Sequence, residues 1–304
     1  MSETILVLGK QGQLGRALTA LLGKRAHAAG RQEVDLASPD FMAQLERFTG
    51  SRNYTAVINA AAYTQVDKAE GEGRNEAFHV NRDAVAVLAT WCKARNLPLI
   101  HYSTDYVFDG TGSQSRTEEA LTSPINVYGQ SKQEGEQVVV ASGAKYLIFR
   151  TSWVYDAQSK NFFNTMLRLF AEKESINVVN DQVGAPTYAP HLAAASLAAL
   201  KAASAAVQFP SGIYHLTGGG ATSWYGFAQA IFTLARSSDS GQKSSFRCIS
   251  IRPISTSEYP LPARRPFNSR LDCSKAKRVL NVVLPDWEIG LNECFREKYA
   301  SAPV

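Results

Sequence analysis

Thr4-Ile-Leu-Val-Leu-Gly-Lys-Gln-Gly-Gln-Leu-Gly15 decides how the rest of the chain is read. A short apolar run stops at Gly9. Glycines recur at 12 and 15, where Leu14, Leu18, Leu21 and Leu22 take up helical spacing. A tight strand-to-helix turn needs a permissive backbone, and a diphosphate reaches backbone amides only where no Cβ intervenes. The spacing is GxxGxxG rather than GxGxxG. Its position at the first strand–helix junction makes Gly9, Lys10, Gln11, Gly12, Gln13, Leu14 and Gly15 the expected dinucleotide turn.

Working outward, further apolar runs at Ala26–Ala29, Ala56–Asn59, Leu99–Ser103 and Tyr146–Arg150 alternate with helical patterns. Those patterns fall near Leu14–Leu22, Pro39–Phe48, Asn75–Arg95 and Asn126–Ala141. Continuous apolar strands separated by helices predict an α/β, Rossmann-type, doubly wound parallel sheet covered on both faces. Beyond residue 150 the rhythm loosens, with helices expected at Phe162–Glu172, His191–Ala203 and Ser223–Ala235 and a polar loop at Ser237–Ser245. The expected division assigns 1–150 with part of 175–206 to the dinucleotide domain. Residues 151–174 and 207–304 are expected to form most of a smaller substrate lobe.

The 304 residues are 45% hydrophobic and 19% charged, which excludes disordered and low-complexity classes. Cys92, Cys248, Cys273 and Cys294 show no metal-ligand or CxxC spacing and point to a reducing compartment. MSETILVLG lacks the features of a signal peptide, and the longest low-polarity run, Leu192–Val207, carries Lys201. A cytoplasmic protein without a membrane partner is expected. The formal charge of +5 is too small to imply nucleic acid.

At the end of the second run the chain reads Ala29-Gly-Arg31-Gln32, with no acid before Glu33 and Asp35. Arg31, helped by Lys10, suits a 2′-phosphate; this favours NADPH and leaves NADH open. Tyr128-Gly-Gln-Ser-Lys132 puts an ammonium one helical turn beyond a phenol, which would lower the phenol's pKa toward the working range. Ser103-Thr104-Asp105 ends the preceding strand at the same sheet edge, where the Thr104 hydroxyl can bond a substrate oxygen. Asn59-Ala-Ala-Ala62 leaves room for a flat ring. Between Lys243 and Arg278 stand nine Lys/Arg and two Asp/Glu. Arg264, Arg265 and Arg270 are there the expected contacts for an anionic diphosphate; the cluster lacks the aromatics of a nucleic-acid module.

GKQGQLG (9–15), NAAAYTQVDKAE (59–70), HYSTDYVFDG (101–110), NVYGQSK (126–132), FRTSWVY (149–155), NDQVGAPT (180–187) and PARRPFNSRLD (262–272) span the chain. In these blocks it resembles the dTDP-4-dehydrorhamnose reductase family, a branch of the extended short-chain dehydrogenase/reductases. The resemblance implies hydride transfer from NADPH to the C4 ketone of dTDP-4-dehydro-β-L-rhamnose, giving dTDP-β-L-rhamnose for surface polysaccharide such as O-antigen. It implies Tyr128 as proton donor, Lys132 holding the nicotinamide ribose, and Thr104 on the substrate's 4-oxygen. It also implies Arg31, Asp35, Leu36, Ala62, Tyr63, Thr64 and Tyr102 along the cofactor, and Thr104, Asp105 and Trp153 on the sugar. An indole face that packs on pyranose C–H groups and an N–H that can donate suit Trp153 to be the sugar's platform.

One departure from the resemblance concerns metal. Some members bind Mg²⁺ at a dimer interface through carboxylates of the first helix and of the segment after GAPT. Here those stretches read GRALTALL (15–22) and Tyr188-Ala-Pro-His191, with only Glu293 left near the C-terminus. Mg²⁺ and that mode of dimerisation are therefore not expected, while a homodimer stays open. The alternatives are a reductase of another dTDP-4-keto-6-deoxyhexose and a non-catalytic nucleotide-binding subunit, which would not need Tyr128 or Lys132.

Overall fold

The computed structural model describes residues 4–238 and 246–300. β1 (Ile5–Leu8) is buried along its length, and α1 (Gln13–Leu22) turns Leu18 and Leu22 inward while Leu21 stays half exposed. β2 (Ala26–Ala29), α2 (Phe41–Thr49), β3 (Ala56–Asn59) and the short α3 (Val66–Ala69) follow. The single helix expected over Asn75–Arg95 is instead α4 (Arg74–Phe78), a π-helical turn (His79–Asp83) and α5 (Ala84–Ala94). Asn81 sits in the widened turn. Its side chain accepts from the Tyr63 amide (2.9 Å) and donates to the Tyr63 carbonyl (3.1 Å) and to Ser131 Oγ (2.9 Å).

β4 (Leu99–Thr104), α6 (Val127–Ala141) and β5 (Tyr146–Thr151) complete the regular alternation. Then come β6 (Val154–Tyr155), α7 (Phe162–Glu172), β7 (Ser175–Val179), β8 (Val183–Gly184), β9 (Thr187–Tyr188) and α8 (Ala189–Ala205). The described chain ends with β10 (Gly212–His215), β11 (Thr222–Ser223), α9 (Trp224–Ser238), β12 (Ser250–Ile254), α10 (Ser274–Leu280) and α11 (Trp287–Ala300). The polar loop expected at Ser237–Ser245 falls largely outside the described residues.

Six strands form a parallel sheet in the order β10-β5-β4-β3-β1-β2. The chain leaves β1 toward β2 and then crosses to β3, so the carboxyl ends of β1 and β3 flank a switch point where ligands of such sheets bind. Side chains alternate across the sheet despite the continuous apolar runs. Leu6, Leu8 and Val57 meet Leu45, Leu88 and Val139 of α2, α5 and α6. Ile5, Val7 and Ile58 meet Leu18, Leu192 and Ala276 of α1, α8 and α10. A third core joins α7, α9 and α11 through Phe163, Phe170, Ile231 and Leu291.

β10 and α10 thus belong to the sheet's body although they lie in the 207–304 stretch expected mainly in the smaller lobe. Four residues after Phe209-Pro210 carry too little periodicity to announce an edge strand. The parallel β7–β12 pair, with one strand from each side of α8, is likewise invisible to local pattern.

Candidate active site

A cleft of about 530 Å³ opens at the switch point. Gly9 adopts φ +86°, and a Cβ there would stand 2.7 Å from the Ala61 nitrogen; one at Gly15 would stand 2.0 Å from the Gly9 carbonyl oxygen. Both glycines are demanded by packing between β1, α1 and the end of β3. Gly12 differs: within 4 Å its Cβ would meet only the Gly9 oxygen, at 3.3 Å, and the residue lines the cleft. Nothing in the protein fills that space, so the turn bares backbone beside the start of a ten-residue helix, which fits a diphosphate.

From this turn the cleft runs past Arg31, Asp35 and Leu36 on the β2 side and past Ala62 and Thr64 after β3. It ends at Tyr102, Tyr128 and Lys132; Gly9, Gln11, Gly12, Gln13 and Leu14 form its floor. Three expected residues do not line it. Gly15 serves helix–strand packing, as above. Tyr63 is buried, and its hydroxyl would collide with any Cβ at Gly73. Lys10 is drawn aside by Glu33, with Nζ 2.6 Å from Oε1.

Ser159 and Lys160 line the cleft without any signal in the sequence. They sit on a loop tied to α1: Arg16 bonds Asp156 Oδ2 (2.5 Å) and Ser159, and Gln13 Oε1 accepts from Asn161 (2.9 Å). Only the tertiary fold brings these partners together.

The chemical end of the cleft rests on the first turns of α6. Asn126 caps that helix, accepting from the Gly129 amide (2.7 Å), and its Nδ2 donates to the Arg264 carbonyl (2.8 Å). The Val127 amide donates to Glu70 Oε1 (2.8 Å). These bonds fix Tyr128 in the first turn and Lys132 one turn on. Thr104, buried at the end of β4, donates to Asp105 Oδ1 (3.0 Å) and accepts from the Tyr106 amide (3.2 Å).

Burial and the Asp105 charge push the Tyr128 phenol well above its ordinary range, against the pull of the Thr104 hydroxyl. Burial pushes Asp105 up to about 6, opposed by the Ser269 and Thr104 hydroxyls. Burial pushes Lys132 down to about 8, opposed by Glu136. The sequence led us to expect Lys132 to lower the phenol's pKa. In this arrangement its ammonium instead meets His101 Nε2 (3.4 Å), and burial and Asp105 govern the phenol. His101 is itself held well below the usual imidazole range, by burial and then Lys132, and its Nδ1 faces Asn59 Nδ2 at 3.3 Å.

A second cleft of about 640 Å³ lies beyond Tyr128. Tyr128 lines the first cleft, Tyr106 lines the second, and their rings meet edge to face at 5.8 Å. The second cleft is walled by Phe162, Trp224, Tyr259 and Phe267, with Arg264 and Arg265 at its basic side. Arg265 is paired with Asp67 (2.8 Å). Arg270 donates to the Ser113 carbonyl and Asn268 Oδ1, both 3.2 Å, and does not line the cleft.

Trp153, the expected pyranose platform, is stacked on Trp224 at 3.6 Å with an 11° tilt, so one indole face is taken. Its φ of +48° is unusual for a bulky side chain, and Gly184 lies close beside the ring. Trp224 is the ring that lines the cleft. In the sequence it reads as part of the apolar stripe of α9.

The Mg²⁺ ligands implied by resemblance do not fit these residues. His191 Nε2 bonds Glu293 Oε2 at 2.6 Å, and among the described residues no group of three or more His, Cys, Asp or Glu could hold a metal.

The model of the RmlD substrate binding domain family matches residues 3–300. A dTDP-4-dehydrorhamnose reductase of Burkholderia thailandensis is 44% identical over 299 residues, covering 96% of this chain and 98% of the relative. That of Escherichia coli K12 is 38% identical, covering 99% of each. Among solved structures, a dTDP-4-dehydrorhamnose reductase of Bacillus anthracis in complex with NADP superposes with TM-score 0.86 at 32% identity, over 98% of this chain and 100% of that one.

Proposed function

The chain belongs to the RmlD family of dTDP-4-dehydrorhamnose reductases, and from that membership and the two clefts we propose its reaction. The protein is an NADPH-dependent oxidoreductase that reduces the C4 ketone of dTDP-4-dehydro-β-L-rhamnose to dTDP-β-L-rhamnose. The observation that carries the chemistry is geometric: Tyr128 lines the first cleft with its ring edge-on to Tyr106 of the second, and burial favours its protonated form. NADPH, when bound along the glycine turn, supplies the hydride to C4.

The chain's own residues do the rest. Gly9 to Leu14 would hold the diphosphate, and Arg31, Asp35 and Leu36 the adenosine half. Ala62 and Thr64 flank the ring side, and Lys132 would bind the nicotinamide ribose. Tyr128 donates its proton to the substrate's O4 as negative charge develops there; an alkoxide is the stronger base, so transfer from a raised-pKa phenol is downhill. Thr104, by turning its hydroxyl proton from Asp105 Oδ1, would bond the same oxygen, and the ionised Asp105 would accept from a sugar hydroxyl. Arg264, with Arg265, neutralises the dTDP diphosphate in the second cleft, while its aromatic walls cover the base.

Residues 1–150 with part of 175–206 serve the dinucleotide, and 151–174 with most of 207–304 serve the sugar nucleotide. Both substrates are water-soluble nucleotides, which suits a cytoplasmic site of action. No nucleic acid or membrane partner is assigned, and the assembly proposed is a homodimer that does not depend on Mg²⁺. No helix among the described residues is long and apolar enough to cross a membrane.

The test is NADPH oxidation followed by absorbance, with dTDP-4-dehydro-β-L-rhamnose generated in situ by a 3,5-epimerase. Oxidation that requires the epimerase and yields dTDP-β-L-rhamnose is the expected outcome. NADPH binding without oxidation would refute this substrate and point to another dTDP-4-keto-6-deoxyhexose or to a binding-only role.

A further inference from the structure

Of two cations near the carboxyl end of β2, Arg31 lines the first cleft and Lys10 is held beside it by Glu33, so they are held unequally. Lys10 Nζ lies 2.6 Å from Glu33 Oε1, and the other oxygen of that carboxylate accepts the Gly30 amide at 2.8 Å. Arg31 is 69% exposed in its side chain and only loosely paired, 3.7 Å from Asp35 and 3.9 Å from Glu76. Lys10 is anchored at its backbone by the Ala29 carbonyl (3.0 Å), so its ammonium swings from a fixed point over the Gly30–Glu33 turn. Lys10, Gly30, Arg31 and Glu33 therefore form one group at the carboxyl end of β2.

We propose that Glu33 is a cofactor-specificity residue that competes with the 2′-phosphate of NADPH for Lys10. The inference rests on the dinucleotide reading of the first cleft. A 2′-phosphate carries close to two negative charges and is bound by cations, whereas the 2′-hydroxyl of NADH requires none. With NADH the Lys10–Glu33 pair stays closed. With NADPH the same ammonium must serve two anions, and Glu33 stands beside the incoming phosphate as a like charge. Arg31 meets less competition, because its carboxylates lie farther away. Glu33 thus weakens discrimination in favour of NADPH while leaving NADH untouched.

Glu33→Gln tests this cleanly, since the amide oxygen can still accept from Gly30 while the charge is gone. Dissociation constants for NADPH and NADH are measured separately on the full chain by nicotinamide fluorescence. For a like charge a few ångströms away in a solvated setting, the preference for NADPH should rise roughly five- to tenfold. The rise should come from tighter NADPH, shrink with added salt, and vanish in Lys10→Ala/Glu33→Gln. An unchanged preference in Glu33→Gln, or a rise that survives in the double variant, would overturn the proposal. Should Glu33→Gln fail to fold, Lys10→Ala decides: weaker NADPH with unchanged NADH supports it, and unchanged affinities for both overturn it. A wild-type protein that binds neither nucleotide would overturn the reading of the cleft and this inference with it.

Discussion

Replacing Glu136 by Gln should cost this protein stability and shift its alkaline pH limit with one substitution. Glu136 on α6 receives two hydrogen bonds from Arg150 on β5, Nε to Oε1 at 2.8 Å and Nη2 to Oε2 at 2.7 Å. The two side chains are only 3% and 4% exposed. Arg150 cannot shed its proton, and its other neighbours do not compensate: it stands over the Phe108 ring at 5.0 Å, and His215 is held down to about 3, chiefly by burial. Glu136→Gln therefore leaves a buried guanidinium without a counterion, a loss of about 3–5 kcal/mol. With an unfolding entropy of about 2.1 cal/mol/K per residue, that lowers Tm by roughly 5–8 °C in a chain of this length. Glu136 also raises the pKa of Lys132 one turn earlier, so the variant's Lys132 should titrate below about 8 and kcat/KM should begin to fall at lower pH. Thermal melts and pH–rate profiles of wild type and variant read both effects. A Tm within a degree of wild type would refute the view that Glu136 compensates a buried charge. Glu136→Leu with Arg150→Met, which removes both charges, should recover most of the loss.

Tyr128→Phe keeps the ring against Tyr106 and removes the proton donor, so turnover should fall by about 10²–10⁴ while NADPH affinity stays within about twofold. Wild-type NADPH oxidation by the variant would remove Tyr128 from its role. Asp105 is raised to about 6, so activity that uses its carboxylate should climb through that pH, and the limb should be absent from Asp105→Asn. Because the folded value lies above the unfolded one, the protonated group's contribution to stability is complete below the unfolded pKa and lost as pH rises through about 6. Denaturant unfolding should accordingly show Asp105→Asn gaining on wild type from pH 4 to pH 7. Arg264 is exposed, lines the second cleft and has no carboxylate at ion-pair distance among the described residues. Arg264→Ala should raise KM for the dTDP-sugar roughly tenfold with kcat little changed, since a diphosphate contact far from C4 acts mainly on binding. Arg270→Ala, whose guanidinium serves protein oxygens, should change KM less.

What the sequence disclosed followed from local physics. Strand apolarity and the glycine turn announced the sheet, because burial on both faces favours apolar residues along Ile5–Leu8 and most of Ala56–Asn59. Tyr128 and Lys132 were legible because helical spacing alone brings them to one face. The misreadings share a cause in pairings distant along the chain. Glu33 folds back on Lys10 and Gly73 encloses the Tyr63 hydroxyl, contacts that no local pattern announces. Trp224 lines the second cleft while Trp153 stacks on it, and neither sequence neighbourhood shows which indole covers the other. Helical periodicity continued through Asn81, whose amide instead serves Tyr63 and Ser131 across a π-turn.

Tyr128, Lys132 and Glu136 stand four residues apart on one face of α6, and each meets a different partner: Thr104 and Asp105, then His101, then Arg150. Burial disfavours the charged form of both the phenol and the ammonium, which suits a phenol that must carry a proton and opposes an ammonium that must keep one. Glu136 offsets the second effect, and so Lys132 remains mostly charged at neutral pH although it is only 2% exposed. His101 supports the same state by staying neutral beside it, since a second buried cation there would drive the Lys132 proton off. The helix face therefore sets a phenol at the cleft, a buried ammonium one turn on, and a buried carboxylate one turn further that holds the ammonium's charge. The carboxylate is itself locked to β5 by Arg150, so the charge state of this cleft edge is tied to the packing of the sheet that carries it.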